Sequence, residues 1–368
     1  MLGFFKREMV FSIAFLLALV TSFFNPDPSS LVSGVDYRTL AILFSLMGVS
    51  ESMKDSGLFS YAAGMMIRKS GNTRILSRVL VMLVFFSSMF FTNDVALLMF
   101  VPLSMLVFDR SGMDEKHVIY LVVIETIAAN LGSMTMPVGN PQNIYICSYF
   151  NVSSFDFYIA ILPYSFVSFL LVLLALRIFL WRKGEIKGDG TAQNSFDKSK
   201  TSISIIFLVL ALLSVFRIFP WKWLFLAELA YLMVFDRKVL LKIDYLLLLT
   251  FVCFFLFSVN LRSIEVVRNL ISNPMKKHPI LVSAAISQII SNVPAAIFLS
   301  PFPNAFRGIL IGTDIGGLGS PIASLASLIS LKFYFKRKEG RNGLYVLFFM
   351  ALNVVFLIIL SVFAYFVG

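Results

Sequence analysis

Charge is scarce in this chain, and that scarcity decides its class. Only 14% of the 368 residues are Asp, Glu, Lys or Arg, while 58% are hydrophobic; soluble domains carry roughly 25% charged residues. A membrane protein follows. Cysteine and histidine are also rare, with two of each. Cys147 and Cys253 stand alone in apolar sequence and read as small buried hydrophobes, not as a disulfide or a thiolate metal site. His117 and His278 border predicted loops without a second ligand at metal-binding spacing, so both read as solvated and no metal centre is expected. No GxxxxGK[ST] loop occurs, so any use of ATP would need a partner subunit. With no Ser/His or His/Glu metal constellation in the apolar segments, an enzyme is not expected either.

What is abundant is long apolar sequence. The stretches 157–176, 245–261, 279–306 and 342–368 hold no charged residue, and each is near or above the roughly 20 residues that cross a bilayer as a helix. Continuous apolar runs, rather than alternation, exclude a barrel. The net charge of +11 sits in short loops and lacks a basic helix face or stacking module, so it reflects the positive-inside bias rather than nucleic-acid binding. Lys6 and Arg7 precede the apolar run 9–24, which lacks a small-residue cleavage site and reads as a retained first helix. With that end cytoplasmic, Arg68, Lys69, Arg74 and Arg78, then Arg237, Lys238 and Lys242, then Lys332, Lys336, Arg337, Lys338 and Arg341 mark cytoplasmic loops. Arg262, Arg268, Lys276 and Lys277 fall on the opposite side, against the bias. The polar stretch 182–200 reads as a cytoplasmic linker between a first transmembrane repeat, 1–181, and a second, 201–368.

The halves resemble each other weakly. TNDVALLMFVP at 92–102 aligns without gaps to SNVPAAIFLSP at 291–301, and NLGSMTMPVGNPQN at 130–143 to DIGGLGSPIASLAS at 314–327. Asp36-Tyr37 matches Asp244-Tyr245 upstream. By the loop charges the first pair opens a helix from outside and the second from inside, which is inverted-repeat geometry.

Polar residues inside the apolar sequence are the candidates for function. Gly- and Pro-interrupted segments at 132–143 and 316–324 predict two helices broken in mid-membrane, tolerated only beside protein or a watery cavity. Each break exposes a half-helix N-terminus that favours an anion and carbonyls that favour a cation. Two re-entrant hairpins, about 75–108 and 279–303, bring Asn93 and Asn292 to their tips with Thr92, Asp94 and Ser291. The ion and substrate site is therefore expected to draw on Thr92, Asn93, Asp94, Asn130, Gly132, Ser133, Gly139, Asn140 and Asn143 from the first half. The second half supplies Ser291, Asn292, Thr313, Asp314, Gly316, Gly317, Ser320 and Ser324. Gly132 and Gly316 are expected where backbone approaches an ion or leaves helical angles. Asp94, Asp314 and Glu125 are the proton-carrier candidates. Two local alternatives remain: Asn93 caps a helix that Asp94 begins, and Glu125 pairs with a basic neighbour.

At these residues the chain resembles the ion transporter superfamily, in the branch of arsenite permeases and NhaD-type antiporters, with citrate transporter-like relatives. TNDVALLMFVPL, GNPQN, SNVPA and GGLGSPIASLASLIS carry the likeness, which is nearest to anion permeases of the YbiR type. The resemblance implies an all-α polytopic protein with about nine spanning helices, two re-entrant hairpins and two broken helices, often a homodimer. The implied activity is secondary transport of a small anion or oxyanion by a permease of a prokaryotic plasma membrane, coupled to H+ or Na+ as symporter or antiporter, without a cofactor beyond a bound Na+. A Na+/H+ antiporter and an ion channel are the alternatives. The Ser-Asn-Thr signature of sodium-coupled dicarboxylate members is replaced by Thr92-Asn93-Asp94 and Ser291-Asn292-Val293. Three thiols that would favour trivalent arsenic are missing.

Overall fold

The computed structural model describes residues 9–23, 34–110, 113–180, 195–302, 306–337 and 340–367. Lys6, Arg7, Lys338 and the linker up to residue 194 lie outside them. Every regular element in the described residues is helical. A first helix, α1 (Met9–Ser22), precedes α2 (Tyr37–Asp55), α3 (Leu58–Lys69), α4 (Thr73–Phe90), α5 (Asn93–Arg110), α6 (Glu115–Ser133), α7 (Pro141–Phe150) and α8 (Ser154–Phe179). Then come α9 (Lys198–Val215), α10 (Trp221–Phe235) and the short α11 (Arg237–Leu240). The chain closes with α12 (Tyr245–Ser263), α13 (Glu265–Lys277), α14 (Pro279–Ile290), α15 (Asn292–Leu299), α16 (Phe306–Gly316), α17 (Leu325–Phe335) and α18 (Asn342–Val367).

The order of α-helices from α2 to α8 recurs from α12 to α18, with a short 3-10 helix, Pro321–Ala323, in the second break alone. Asp36 caps α2 by accepting from Thr39 N at 3.1 Å, and Asp244 caps α12 by accepting from Leu247 N at 2.9 Å; the matched Asp-Tyr pairs are matched helix starts. Each half then has an amphipathic helix (α3, α13), a helical hairpin (α4 with α5, α14 with α15), a broken helix (α6 and α7, α16 and α17) and a terminal helix of 26 residues (α8, α18). The breaks fall at 134–140 and 317–324, inside the predicted segments. Arg268, Lys276 and Lys277, at odds with the loop charges, belong to α13, which leaves α12 at 93° and exposes Val266 and Leu270. An amphipathic helix lying across the end of a span explains basic residues there without a long loop.

Among the described residues four helices, α4, α8, α9 and α18, are long and apolar enough to cross a membrane, and the bent pair α12 and α13 adds a fifth if it is counted as one span. The two hairpins differ. The arms α4 and α5 have 18 residues each, about 27 Å at the helical rise, whereas α14 and α15 have 12 and 8 and are too short to cross.

The halves interlock at their breaks. Arm α5 packs on α17, arm α15 packs on α7, and α7 also meets α16. Around this centre α9 and α10 pack on α2, and α1 packs on α12. At one end Asp55 bridges Lys200 (2.9 Å) and Lys242 (2.6 Å), gathering the termini of α2, α9 and α11. At the other, Arg38 donates to Ser214 O at 2.6 Å, so α2 and α9 run antiparallel.

Candidate substrate and ion site

Helix starts and breaks converge in the interior. Asn93 and Asn292 each begin the second arm of a hairpin, and each side-chain oxygen accepts from the next backbone N–H, Asp94 N and Val293 N, both at 2.9 Å. Each asparagine is the first residue of its helix rather than its cap, and the other end of Asn93 does more: Nδ2 donates to Asn130 Oδ1 at 3.0 Å. Asn93 N also donates to Gly139 O at 3.1 Å, tying the hairpin turn to the break beyond α6. The carbonyl of half-buried Thr92 closes the first turn on Ala96 N at 3.1 Å. The second hairpin turns at Ser291, a non-glycine with φ +72°, which donates to Ala323 O at 3.3 Å. Such backbone is uncommon outside glycine and persists where neighbours hold it.

Across the two breaks the halves exchange matched partners. Asn130 and Asp314 are aligned positions, and so are Asn140 and Ser324. Ser324 Oγ donates to Asn130 Oδ1 at 2.9 Å, and Asn140 Nδ2 donates to Asp314 Oδ1 at 2.8 Å. Each residue ending one broken helix therefore pairs with the residue restarting the other. All four are at most 4% exposed.

The two crossings differ in charge. Asn140 caps α7 by accepting from Asn143 N at 2.9 Å, with Pro141 following. Gln142 donates to Asp314 Oδ1 at 3.2 Å, and the Asn143 amide, oriented to satisfy both its ends, donates to Oδ2 at 3.1 Å. The Asp314 carboxylate thus occupies the positive N-terminus of α7. A dipole contributes up to about 2 kcal/mol, against several kcal/mol to dehydrate an ion, and the three amides add hydrogen bonds to the same carboxyl.

At the N-terminus of α17 the equivalent position is Asn130, which is neutral. Its Nδ2 is buried without a partner, as is Ser327 Oγ in the first turn of α17. Oδ1 of Asp94, 8% exposed, is likewise unpartnered. Among the described residues no Lys or Arg is recorded pairing with either Asp94 or Asp314.

Other candidates divide. Ser133 Oγ accepts from Asn140 Nδ2 at 3.4 Å. An added Cβ on Gly317 would lie 3.0 Å from Asn292 Nδ2, and one on Gly139 would lie 2.1 Å from Ser133 O, so both belong to the breaks. The non-helical backbone expected at Gly132 and Gly316 is corrected: both lie in the last turn of regular helices, and a Cβ would meet Phe85 O at 2.1 Å or Ala284 Cα at 2.8 Å. They let α6 and α16 press against the hairpin arms α4 and α14. Thr313 bonds back to Ile309 O at 2.7 Å, within its own helix. Glu125 lies earlier on α6, 2.5 Å from Ser104 Oγ, and among the described residues no ion pair with a basic side chain is recorded for it. His117, expected in solvent, is 2% exposed, with Nε2 3.0 Å from Ser77 Oγ and its ring stacked on Phe108. His278 is exposed and both cysteines are buried and free.

Sequence reasoning missed Gln142, Ser327, Gln288 and Glu228. Gln288 donates to Gly316 O at 2.7 Å and Leu318 O at 2.9 Å and accepts from Ser320 N at 2.9 Å, so one side chain from α14 satisfies the second break. Ser320 Oγ has no partner. Glu228, 1% exposed in the apolar α10, sits where a Cβ on Gly48 would lie 2.6 Å from its Oε1; the rule that singled out Glu125 applies to it equally.

A model of the citrate transporter family matches residues 3–306. A protein of Methanocaldococcus jannaschii, uncharacterized transporter MJ0456, is 32% identical over 359 residues, covering 97% of this chain and 96% of its own length. Inner membrane protein YbiR of Escherichia coli is 28% identical over 337 residues, 90% of each chain. The silicon efflux transporter LSI3 of Oryza sativa is 27% identical over 152 residues, covering 41% of this chain and 30% of its own length.

Proposed function

The chain belongs to the citrate transporter family and is an integral membrane transporter, not an enzyme; from that premise we propose that it is a secondary active transporter carrying a small anion or oxyanion together with H+, or with Na+ in its place. The observation that carries this reading is the unequal pair of helix N-termini. That of α7 already holds a carboxylate, Asp314, whereas that of α17 faces neutral Asn130 with Asn130 Nδ2 and Ser327 Oγ unsatisfied. An anion at α17 would complete the pattern that Asp314 completes at α7.

Asp94 supplies the coupling. It is joined to Asn130 through Asn93, and no cation is recorded pairing with it. An anion entering beside a bare carboxylate is repelled; beside a protonated or sodium-bound one it is not. Anion and proton therefore enter together. Support for a prokaryotic cytoplasmic membrane comes from the printed name of YbiR, and support for substrates beyond carboxylates from that of LSI3.

The architecture proposed with this function has nine crossings: α1, α2, α6 with α7, α8, α9, α10, α12, α16 with α17, and α18. The hairpin α14–α15 re-enters, and so does α4–α5 by its match to it, although α4 alone is long enough to cross; 1–181 and 201–368 are inverted repeats joined by 182–200. Inversion places Lys276 and Lys277 opposite Arg68 and Lys69, as the matched helices α3 and α13 require. A homodimer is part of the proposal, checked by the mass of the solubilised protein.

The two buried carboxylates favour a second reading, a Na+/H+ antiporter in which no anion moves. Proteoliposomes separate the two. Uptake of a labelled anion driven by an inward proton gradient supports the first; a Na+-driven internal pH change without anion flux overturns it.

A further inference from the structure

Away from the break cluster, a half-open cavity of about 560 Å³ lies where α13 stops and α14 and α16 begin. Its remaining walls come from the first half of α8 and the last turn of α18. The volume is that of a ligand pocket, roughly 300–1,000 Å³. Its chemistry is divided. Lys277, His278 and Arg307 line one part, and no Asp or Glu lines it among the described residues. Lys277 and Arg307 are exposed, and no carboxylate is recorded pairing with either among the described residues. By contrast, Glu115 in the first turn of α6, the helix matched to α16, is held by Arg337 at 2.9 Å. The other part is apolar, and Ile159, Leu281 and Val367 there are exposed on the outside of the helix bundle.

One polar group in the wall is unsatisfied. Tyr164 is 2% exposed, with its ring edge-on to Phe363 at 5.3 Å, and its hydroxyl is buried without a partner. A buried hydroxyl is costly unless something completes its hydrogen bond. Helix α14 also begins at Pro279 with no side-chain cap, which leaves first-turn N–H groups for solvent or a ligand. The cavity sits at the membrane boundary: the amphipathic α13 leaves α12 here at 93°, α8 starts here and α18 ends here. Lys277 is among the residues that run against the positive-inside bias, so its charge needs a reason other than orientation.

We propose that this cavity binds an anionic phospholipid. Its phosphate lies on Lys277 and Arg307, an ester oxygen accepts from the Tyr164 hydroxyl, and an acyl chain follows Ile159, Leu281 and Val367. A basic rim at the height where spans end, beside an apolar wall open to the bilayer, matches the two parts of such a molecule. A free anion would use the cations and leave the apolar wall and the tyrosine unused. A zwitterionic lipid would bring its own cation against Lys277 and Arg307. The lipid would touch α14 and α16 but none of the residues at the helix breaks, so its binding does not depend on what is transported.

The test is thermal unfolding of the purified, delipidated protein in detergent, titrated with phosphatidylglycerol, phosphatidylcholine or inorganic phosphate, because a lipid that binds the folded state raises the transition temperature. Phosphatidylglycerol should stabilise with a saturating midpoint, and the other two should act about tenfold more weakly or not at all. Lys277→Gln combined with Arg307→Gln should raise that midpoint roughly 30-fold, at about fivefold for each basic residue near a lipid headgroup. Tyr164→Phe, which keeps the ring on Phe363, should raise it about fivefold. Removing two exposed charges elsewhere, by Lys198→Gln with Lys222→Gln, should leave it unchanged. The proposal is overturned by an absent or non-saturating response to phosphatidylglycerol, by an equal response to phosphatidylcholine or inorganic phosphate, or by a wild-type midpoint in the Lys277/Arg307 variant or in Tyr164→Phe.

Discussion

The two halves place one carboxylate each in the centre, at positions that do not correspond. Asp94 lies in the first hairpin where the second has Val293; Asp314 ends the second broken helix where the first has Asn130. Asp314 is held by the amides of Asn140, Gln142 and Asn143, while Asp94 Oδ1 has no partner. The proposed function accordingly gives Asp314 a fixed part in the crossing and gives Asp94 the exchange of a proton or an ion.

Substitutions at matched positions sharpen this contrast. The largest effect is expected from Gly132→Val. Its Cβ would meet the Phe85 carbonyl at 2.1 Å, and backbone cannot swing aside as a side chain can; size-exclusion profiles should show aggregated or unfolded protein. At Gly316 the nearest atoms are 2.8 Å away, so valine should leave a folded protein with lowered thermal stability, on the overpacking scale of about 1–3 kcal/mol. Equal behaviour of the two would mean that the matched helices do not press on their hairpins as described.

The carboxylates should separate next. Asp94→Asn keeps shape and removes titration, so accumulation driven by a pH gradient should disappear while the thermal transition stays near wild type. Asp314→Asn disturbs three buried donor contacts, and its main loss should be stability, about 1–3 kcal/mol for unsatisfied groups. Reversed phenotypes would reverse the roles given to the two residues. A smaller difference is expected between the hairpin asparagines. Asn93→Ala loses the bond to Asn130 and should abolish flux; Asn292→Ala removes an amide whose Oδ1 accepts from Val293 N, and should bind substrate more weakly with the fold intact. Wild-type flux in both variants would remove the hairpin tips from the site.

Much of this architecture is legible locally. Asp36 and Asp244 announce helix starts, and Gly, Pro and Asn cluster where α6 and α16 stop, because caps and breaks depend on near neighbours. The Asn140–Asp314 bond spans 174 positions, and no periodicity signals it. Gln142 was overlooked because one glutamine between better-known asparagines has no spacing of its own. His117 was misread because its burial comes from α4 and α5, which bring Ser77 and Phe108 to it. Gly132 and Gly316 press against neighbouring helices, and close packing and ion approach leave the same residue in a sequence.

The claim that an anion occupies the N-terminus of α17 is tested most directly by Asn130→Asp, which places there the charge that Asp314 places at α7. Thermal stabilisation would be measured across a panel of oxyanions and carboxylates at acidic and neutral pH, for wild type and variant, since a ligand binding only the folded state raises its transition temperature. The account predicts that at least one anion stabilises the wild type, more strongly at acidic pH, and that Asn130→Asp stays folded and loses the response. An equal response to that anion in Asn130→Asp would contradict it.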